Sequence, residues 1–166
     1  MLKPLKATFV SCFILSLCIQ VHAYTIKMGT IAPDGSPWSK ALKKISSEWN
    51  NISDGKINIK IYDGGIAGDE EDMLRKMRIG QLHAAALSGV GFVRIYNGVL
   101  ALQLPMLIRN DKELYYVLEK LKDHYESKIK KEGFIVLAWS KVGWVHFFSK
   151  NPVVTPDDLR EHKLFT

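Results

Sequence analysis

A thirty-one-residue run from Ile61 to Gly91, IYDGGIAGDEEDMLRKMRIGQLHAAALSGVG, leaves the chain little freedom in how it folds. Just before it, Ile57 and Ile59 continue to Ile61 in alternation with Lys56, Asn58 and Lys60, the period-two pattern of a strand with one buried face. Gly64, Gly65 and Gly68 follow and supply the backbone angles of a tight turn. The run Asp69, Glu70, Glu71 and Asp72 then sits where a helix must begin, where negative charge meets the positive end of the helix dipole and its unpaired amides. Met73, Leu74 and Met77 give that helix its apolar stripe. Leu82 to Leu87 is short, small and apolar, the signature of a buried parallel strand. Ser88-Gly89-Val90-Gly91 closes the run at the carboxyl end of that strand, where open α/β sheets bind their ligands.

The remaining elements repeat this alternation. Tyr24 to Gly29 reads as a first strand, and Ser36 followed by Pro37 is a helix start. Trp38, Leu42, Ile45 and Trp49 share one face of that helix. Phe92 to Leu102 is predicted helical, and Leu104 to Leu107 is an apolar loop broken by proline. Asn110 or Asp111 caps the longest helix, with Leu114, Val117, Leu118, Leu121, Tyr125 and Ile129 as its buried stripe and Gly133 as its stop. Phe134 to Ser140 and His146 to Ser149 are predicted strands, and Thr155-Pro156-Asp157-Asp158 starts a short helical turn. Helices and strands in this order make an α/β sheet covered on both faces.

Residues 1–23 carry Lys3 and Lys6, no acid, and an apolar core from Phe9 to Ile19 ending in Val21-His22-Ala23. This is the pattern of a cleavable secretory signal, with the mature chain starting at Tyr24. Lipid anchoring would use Leu15 to Cys18, but Leu17 stands where a small residue is normal, so cleavage is the favoured reading. Both cysteines, Cys12 and Cys18, lie within the signal, which leaves the mature chain no disulfide and no thiol chemistry. The net charge of +6 includes the two signal lysines, and the other basic residues are interleaved with acids. That is a solvated surface rather than a nucleic-acid footprint.

No catalytic constellation emerges. His83, His124, His146 and His162 have no second ligand at metal-binding spacing, and the acids at 69–72 point in different directions around a helix, so capping explains them better than a cation. The glycines at 64, 65 and 68 lack the lysine of a phosphate loop. Trp139, Trp144, Phe147 and Phe148 cluster around Gly143, either as core or as the lining of a cleft.

Four blocks, TIAPDGSPW from Thr30, GDEEDMLRKMRIGQL from Gly68, LPMLIR from Leu104 and TPDDLR from Thr155, resemble a TRAP-transporter solute receptor of the DctP type. The resemblance implies a periplasmic-binding-protein-like two-lobe fold, of which mainly the first lobe is present: residues 24–142 as lobe one and 143–166 as the start of lobe two. It implies the extracytoplasmic solute-binding component of a secondary transporter, periplasmic, working with TRAP membrane permease subunits, without cofactor, metal, nucleic acid or enzymatic activity. It also implies that lobe two and the strands completing lobe one lie beyond Thr166, so the chain reads as an N-terminal fragment. If this were the whole product, poor solubility and no transport are expected, because sheet edges would be left unpaired.

By matching position, Thr30, Pro33, Ser88, Gly89 and Val90 are the lobe-one ligand contacts, although each also suits plain turn geometry. Many members grip a carboxylate with two arginines, and here Val145 and Phe165 occupy those positions. A buried carboxylate without a cation faces a large desolvation cost. The expectation is a small neutral or largely apolar ligand held by Trp139, Trp144, Val145 and Phe165 together with the lobe-one loops. Two other readings compete: a secreted module whose ligand regulates contact with a partner protein, and a secreted α/β enzyme, which the unpartnered histidines and absent cysteines disfavour.

Overall fold

A computed structural model describes residues 23–104, 107–144, 148–150 and 152–161, the side chains at 156, 159 and 161 excepted. Residues 1–22 of the expected signal, the Pro105-Met106 loop centre, Val145 to Phe147, Asn151 and His162 to Thr166 lie outside the described residues. The chain divides into two compact units, one extending to Val136 and one starting at Leu137.

In the first unit β1 (Tyr24–Thr30), β2 (Ile57–Tyr62) and β3 (Ala84–Ala86) form a three-stranded sheet in the order β2-β1-β3. All pairing is parallel, with Gly29 lying between Tyr62 of β2 and Ala85 of β3. Helix α1 (Pro37–Ile52) connects β1 to β2, and α2 (Glu70–Arg78) connects β2 to β3. One crossover steps to one side of β1 and the next returns past it, so right-handed connections place α1 and α2 on opposite faces of the sheet.

The local signals are those of the sequence. Ser36 caps α1 by accepting a 3.2 Å hydrogen bond from the Ser39 N–H, with Pro37 at the first helical position. Ser36→Ala should therefore cost about 1 kcal/mol, read as a lowered urea midpoint with unchanged slope. An unaltered midpoint would show that the cap adds nothing. Asp69 caps α2 in the same way, accepting from the Asp72 N–H at 2.8 Å. The core between the sheet and α2 is Ala67, Met73 and Leu82, with Tyr62, Met77 and Ala85 packed against it.

Four expectations need correction. The strand expected over Leu82 to Leu87 is only three residues long and half-buried, because among the described residues β3 has a neighbour on one side only. Its entry is held instead by His83, which donates its own N–H to the Lys27 carbonyl at 2.9 Å and accepts the Lys27 N–H on Nδ1 at 3.0 Å. The helix expected over Phe92 to Leu102 starts earlier, as α3 (Gly89–Ile95), and breaks at an extended Tyr96 before a 3-10 segment, Asn97–Gln103. Gly98 permits the break, since a Cβ there would lie 2.6 Å from the Tyr96 hydroxyl.

The longest helix, α4 (Asp111–Lys131), buries only Tyr125 and Ile129 of its predicted stripe, with Leu114, Val117, Leu118 and Leu121 half-buried. Tyr96 packs on Tyr125 at this deeper end, with ring centroids 6.3 Å apart. Phe134 to Ser140 forms no strand: Phe134 is buried, but Ile135 is 76% exposed, and no strand among the described residues pairs with the segment. Backbone hydrogen bonds to a neighbour are what would make it one.

The second unit is described by itself. Val154 and Thr155 donate their N–H groups to Asp158 Oδ2 at 2.9 and 2.8 Å and lead into the 3-10 turn Pro156–Glu161 that the sequence places there. No helix among the described residues is long and apolar enough to cross a membrane.

Candidate ligand-binding site

The strand order fixes where a ligand can sit. The connections leaving β1 and entering β3 run to opposite sides of the sheet, so a crevice opens beyond the carboxyl ends of β1 and β3. Thr30 ends β1 and Ser88 follows β3, which brings the loops 30–36 and 87–91 to the two lips of that crevice. A hollow of about 230 Å³ lies there, lined by Ile31, Asp69, Glu70, Glu71, Val90, Gly91 and Arg94.

Thr30 is buried and turned inward. Its Oγ1 accepts from the Ala32 N–H at 3.2 Å and its carbonyl accepts from the Gly65 N–H at 3.0 Å. The Ala32 carbonyl likewise accepts from the Gly64 N–H at 2.8 Å, so the glycine turn is stitched to the first loop. Pro33 is exposed, and its carbonyl accepts the Ser36 N–H that leads into α1.

An ion-paired group lies beside these loops. Lys43 of α1 contacts Asp34, and its Nζ lies 3.2 Å from Asp63 Oδ2. The hydrogen bond with Lys43 holds the Asp34 carboxyl below its usual range, and the same bond, with help from Asp63, raises Lys43. Asp63 is buried, and its Oδ1 has no hydrogen-bond partner among the described residues.

The other lip rests on Glu70. This side chain is only 8% exposed. One carboxylate oxygen accepts a hydrogen bond from the Ser88 N–H, and the other accepts from the Ser88 hydroxyl at 2.8 Å. Ser88 Oγ in turn accepts from the Val90 N–H at 3.2 Å and caps α3. Gly89 lies under the Gln103 side chain, whose Cδ is 2.6 Å from where a Cβ would stand. Val90 is 62% exposed and lines the hollow.

Of the sequence-predicted residues Val90 lines the hollow, while Thr30 ends β1, Ser88 and Gly89 follow β3, and Pro33 is exposed in the loop after β1. Trp139 is half-buried and Trp144 exposed in the second unit, where the Lys141 ammonium lies 5.6 Å from the Trp144 ring centroid. Val145 and Phe165 lie outside the described residues. Glu70, Ile31, Gly91 and Arg94 were missed by sequence reasoning. Glu70 was hidden within an acidic run that capping explained, yet only Asp69 caps α2 through its side chain. A glutamate on the first turn, one connection before a Ser-Gly loop, was the available signal.

A parallel sheet gathers the loops after β1 and β3 at a switch point, beside a small open hollow. A family model described as bacterial extracellular solute-binding protein, family 7 (DctP), matches residues 28–166, and the chain belongs to that family. It is a family of binding proteins, not of enzymes.

A solute-binding protein of Chromohalobacter salexigens is 24% identical over 152 residues, covering 90% of this chain and 45% of the relative. A TRAP periplasmic solute binding protein from Citrobacter koseri, solved with bound D-glucuronate, superposes with a TM-score of 0.71 at 26% identity, over 82% of this chain and 46% of that one. A TRAP periplasmic solute binding protein from Sulfurospirillum deleyianum, with bound succinate, gives 0.65 at 21% identity, over 70% and 38%. The chain thus spans somewhat less than half the length of these relatives.

Proposed function

We propose that this protein is the extracytoplasmic solute-binding component of a TRAP-type secondary transporter, capturing a small neutral or largely apolar solute and delivering it to membrane permease subunits. The family and the solved relatives support the receptor role and a periplasmic location, and residues 1–23 are proposed as a signal removed on export. Residues 24–142 are proposed as lobe one and 143–166 as the start of lobe two.

The choice of solute rests on the charge around the hollow. Asp69, Glu70 and Glu71 line it with a single guanidinium, that of Arg94, which lies 3.8 Å from Glu71. Between the acids, Ile31 and Val90 present apolar surface. An organic anion entering here would lose hydration and meet three carboxylates, with the one guanidinium of the lining already facing Glu71. By sequence position, Val145 and Phe165 take the places of two arginines, and with Trp139 and Trp144 they are proposed as further contacts. The relatives solved with D-glucuronate and succinate hold acids, which makes those two compounds the informative probes. Isothermal titration of the protein with each should give no binding tighter than millimolar; a micromolar dissociation constant for either would refute the neutral-solute reading.

A further inference from the structure

We infer that Glu70 is a positioning residue for the solute-contact loop, shaping Ser88-Gly89-Val90 from beneath rather than accepting hydrogen bonds from the solute. The inference rests on the receptor reading and adds to it a residue that sets what the loop can offer.

Three observations converge on it. Both oxygens of the Glu70 carboxylate are taken up by Ser88, one by its backbone N–H and one by its hydroxyl. The carboxylate passes so close under the loop that a Cβ on Gly91 would come within 3.1 Å of Glu70 Cδ. Burial removes the competing water, and a buried carboxylate with two donors from one residue fixes that residue's orientation.

The consequence is chemical. The Ser88 hydroxyl has one proton, and it points at Glu70. One of its lone pairs takes the Val90 N–H. Ser88 therefore has no proton to give a solute, and the wall presents glycine backbone and the Val90 side chain. Such a surface suits a solute with an apolar face at this lip and gives an acid no hydroxyl donor from Ser88.

The test is backbone amide NMR with hydrogen exchange on the ¹⁵N-labelled protein, comparing wild type, Glu70→Gln and Glu70→Ala. In the wild type the Ser88 amide proton should resonate downfield, as a hydrogen bond to a buried carboxylate requires. Glu70→Ala should abolish that shift and speed Ser88 exchange by about tenfold or more, the loss of a hydrogen bond to a charged group. Amides of β1 should keep their protection.

Glu70→Gln keeps the shape and one acceptor oxygen, so it should move the Ser88 and Val90 resonances less than alanine does. It also serves as the folded comparison if the alanine variant does not fold. Ser88 resonances unmoved in Glu70→Gln, or changes spread evenly over the sheet in either variant, would overturn the inference. Because no solute enters this experiment, its outcome is independent of the titration that tests the receptor reading.

Discussion

Replacing Met73 by alanine should remove about 2–5 kcal/mol of folding stability, the range for emptying a packed Met or Leu site. Met73 is fully buried and sits between Ala67 and Leu82, with Tyr62, Met77 and Ala85 against the same cluster. It also fills the space over Gly29, where a Cβ would stand 2.9 Å from Met73 Sδ and 3.2 Å from Ala67 Cβ. Gly29 is the residue of β1 bracketed by Tyr62 and Ala85 in the two neighbouring strands. A small domain is stable by about 5–15 kcal/mol, so this one change takes a large share.

The contact with Gly29 sharpens the prediction. Gly29→Ala alone should destabilise, because a methyl group meets the sulfur. In the Met73→Ala background the same methyl enters the vacated space and should restore part of the loss, giving a favourable coupling in a double-mutant cycle followed by urea unfolding. Additive effects, or a Met73→Ala cost below about 1 kcal/mol, would mean that α2 does not pack on β1 through this pair.

How much of this was readable in advance follows from the range over which each signal acts. The caps at Ser36, Asp69 and Asn110 are written within four residues and appear where the sequence places them. The same holds for the glycines at 64, 65 and 68, all with positive φ. The alternation of Ile57, Ile59 and Ile61 marks β2, although only Ile59 is fully buried.

Burial itself is not local. The stripe of α4 and the apolar run after Gly133 carry the right periodicity, but periodicity names a face without supplying what covers it. Site residues divide in the same way. Thr30 and Ser88 were proposed by matching position at the end of β1 and shortly after β3, and such places can be read from the sequence. Glu70 was not found because its role is defined by Ser88, eighteen residues later, a pairing that exists only once α2 has been laid against the sheet.

Gly68→Ala carries the second large effect, and it links stability to the site. Gly68 has φ +98°, a conformation that costs a residue with a side chain about 1–3 kcal/mol. An added Cβ would also lie 2.6 Å from Asp72 Cβ, which is the root of a side chain and cannot swing aside like a flexible tip. Moving Asp72 pulls on the bond its N–H makes to Asp69, and an N-cap is worth about 1 kcal/mol. The total should fall at about 2–4 kcal/mol.

Gly64 provides the internal control. Its φ is +60° with nothing near its absent Cβ, so Gly64→Ala should show the backbone strain alone. Equal urea midpoints for the two variants would rule out the collision with Asp72. If Gly68→Ala is the costlier, as the contact requires, the first turn of α2 has been displaced, and Glu70 follows Asp69 on that turn. The Ser88 amide should then lose its downfield position in Gly68→Ala and keep it in Gly64→Ala, because the glycine turn reaches the crevice through the helix it starts.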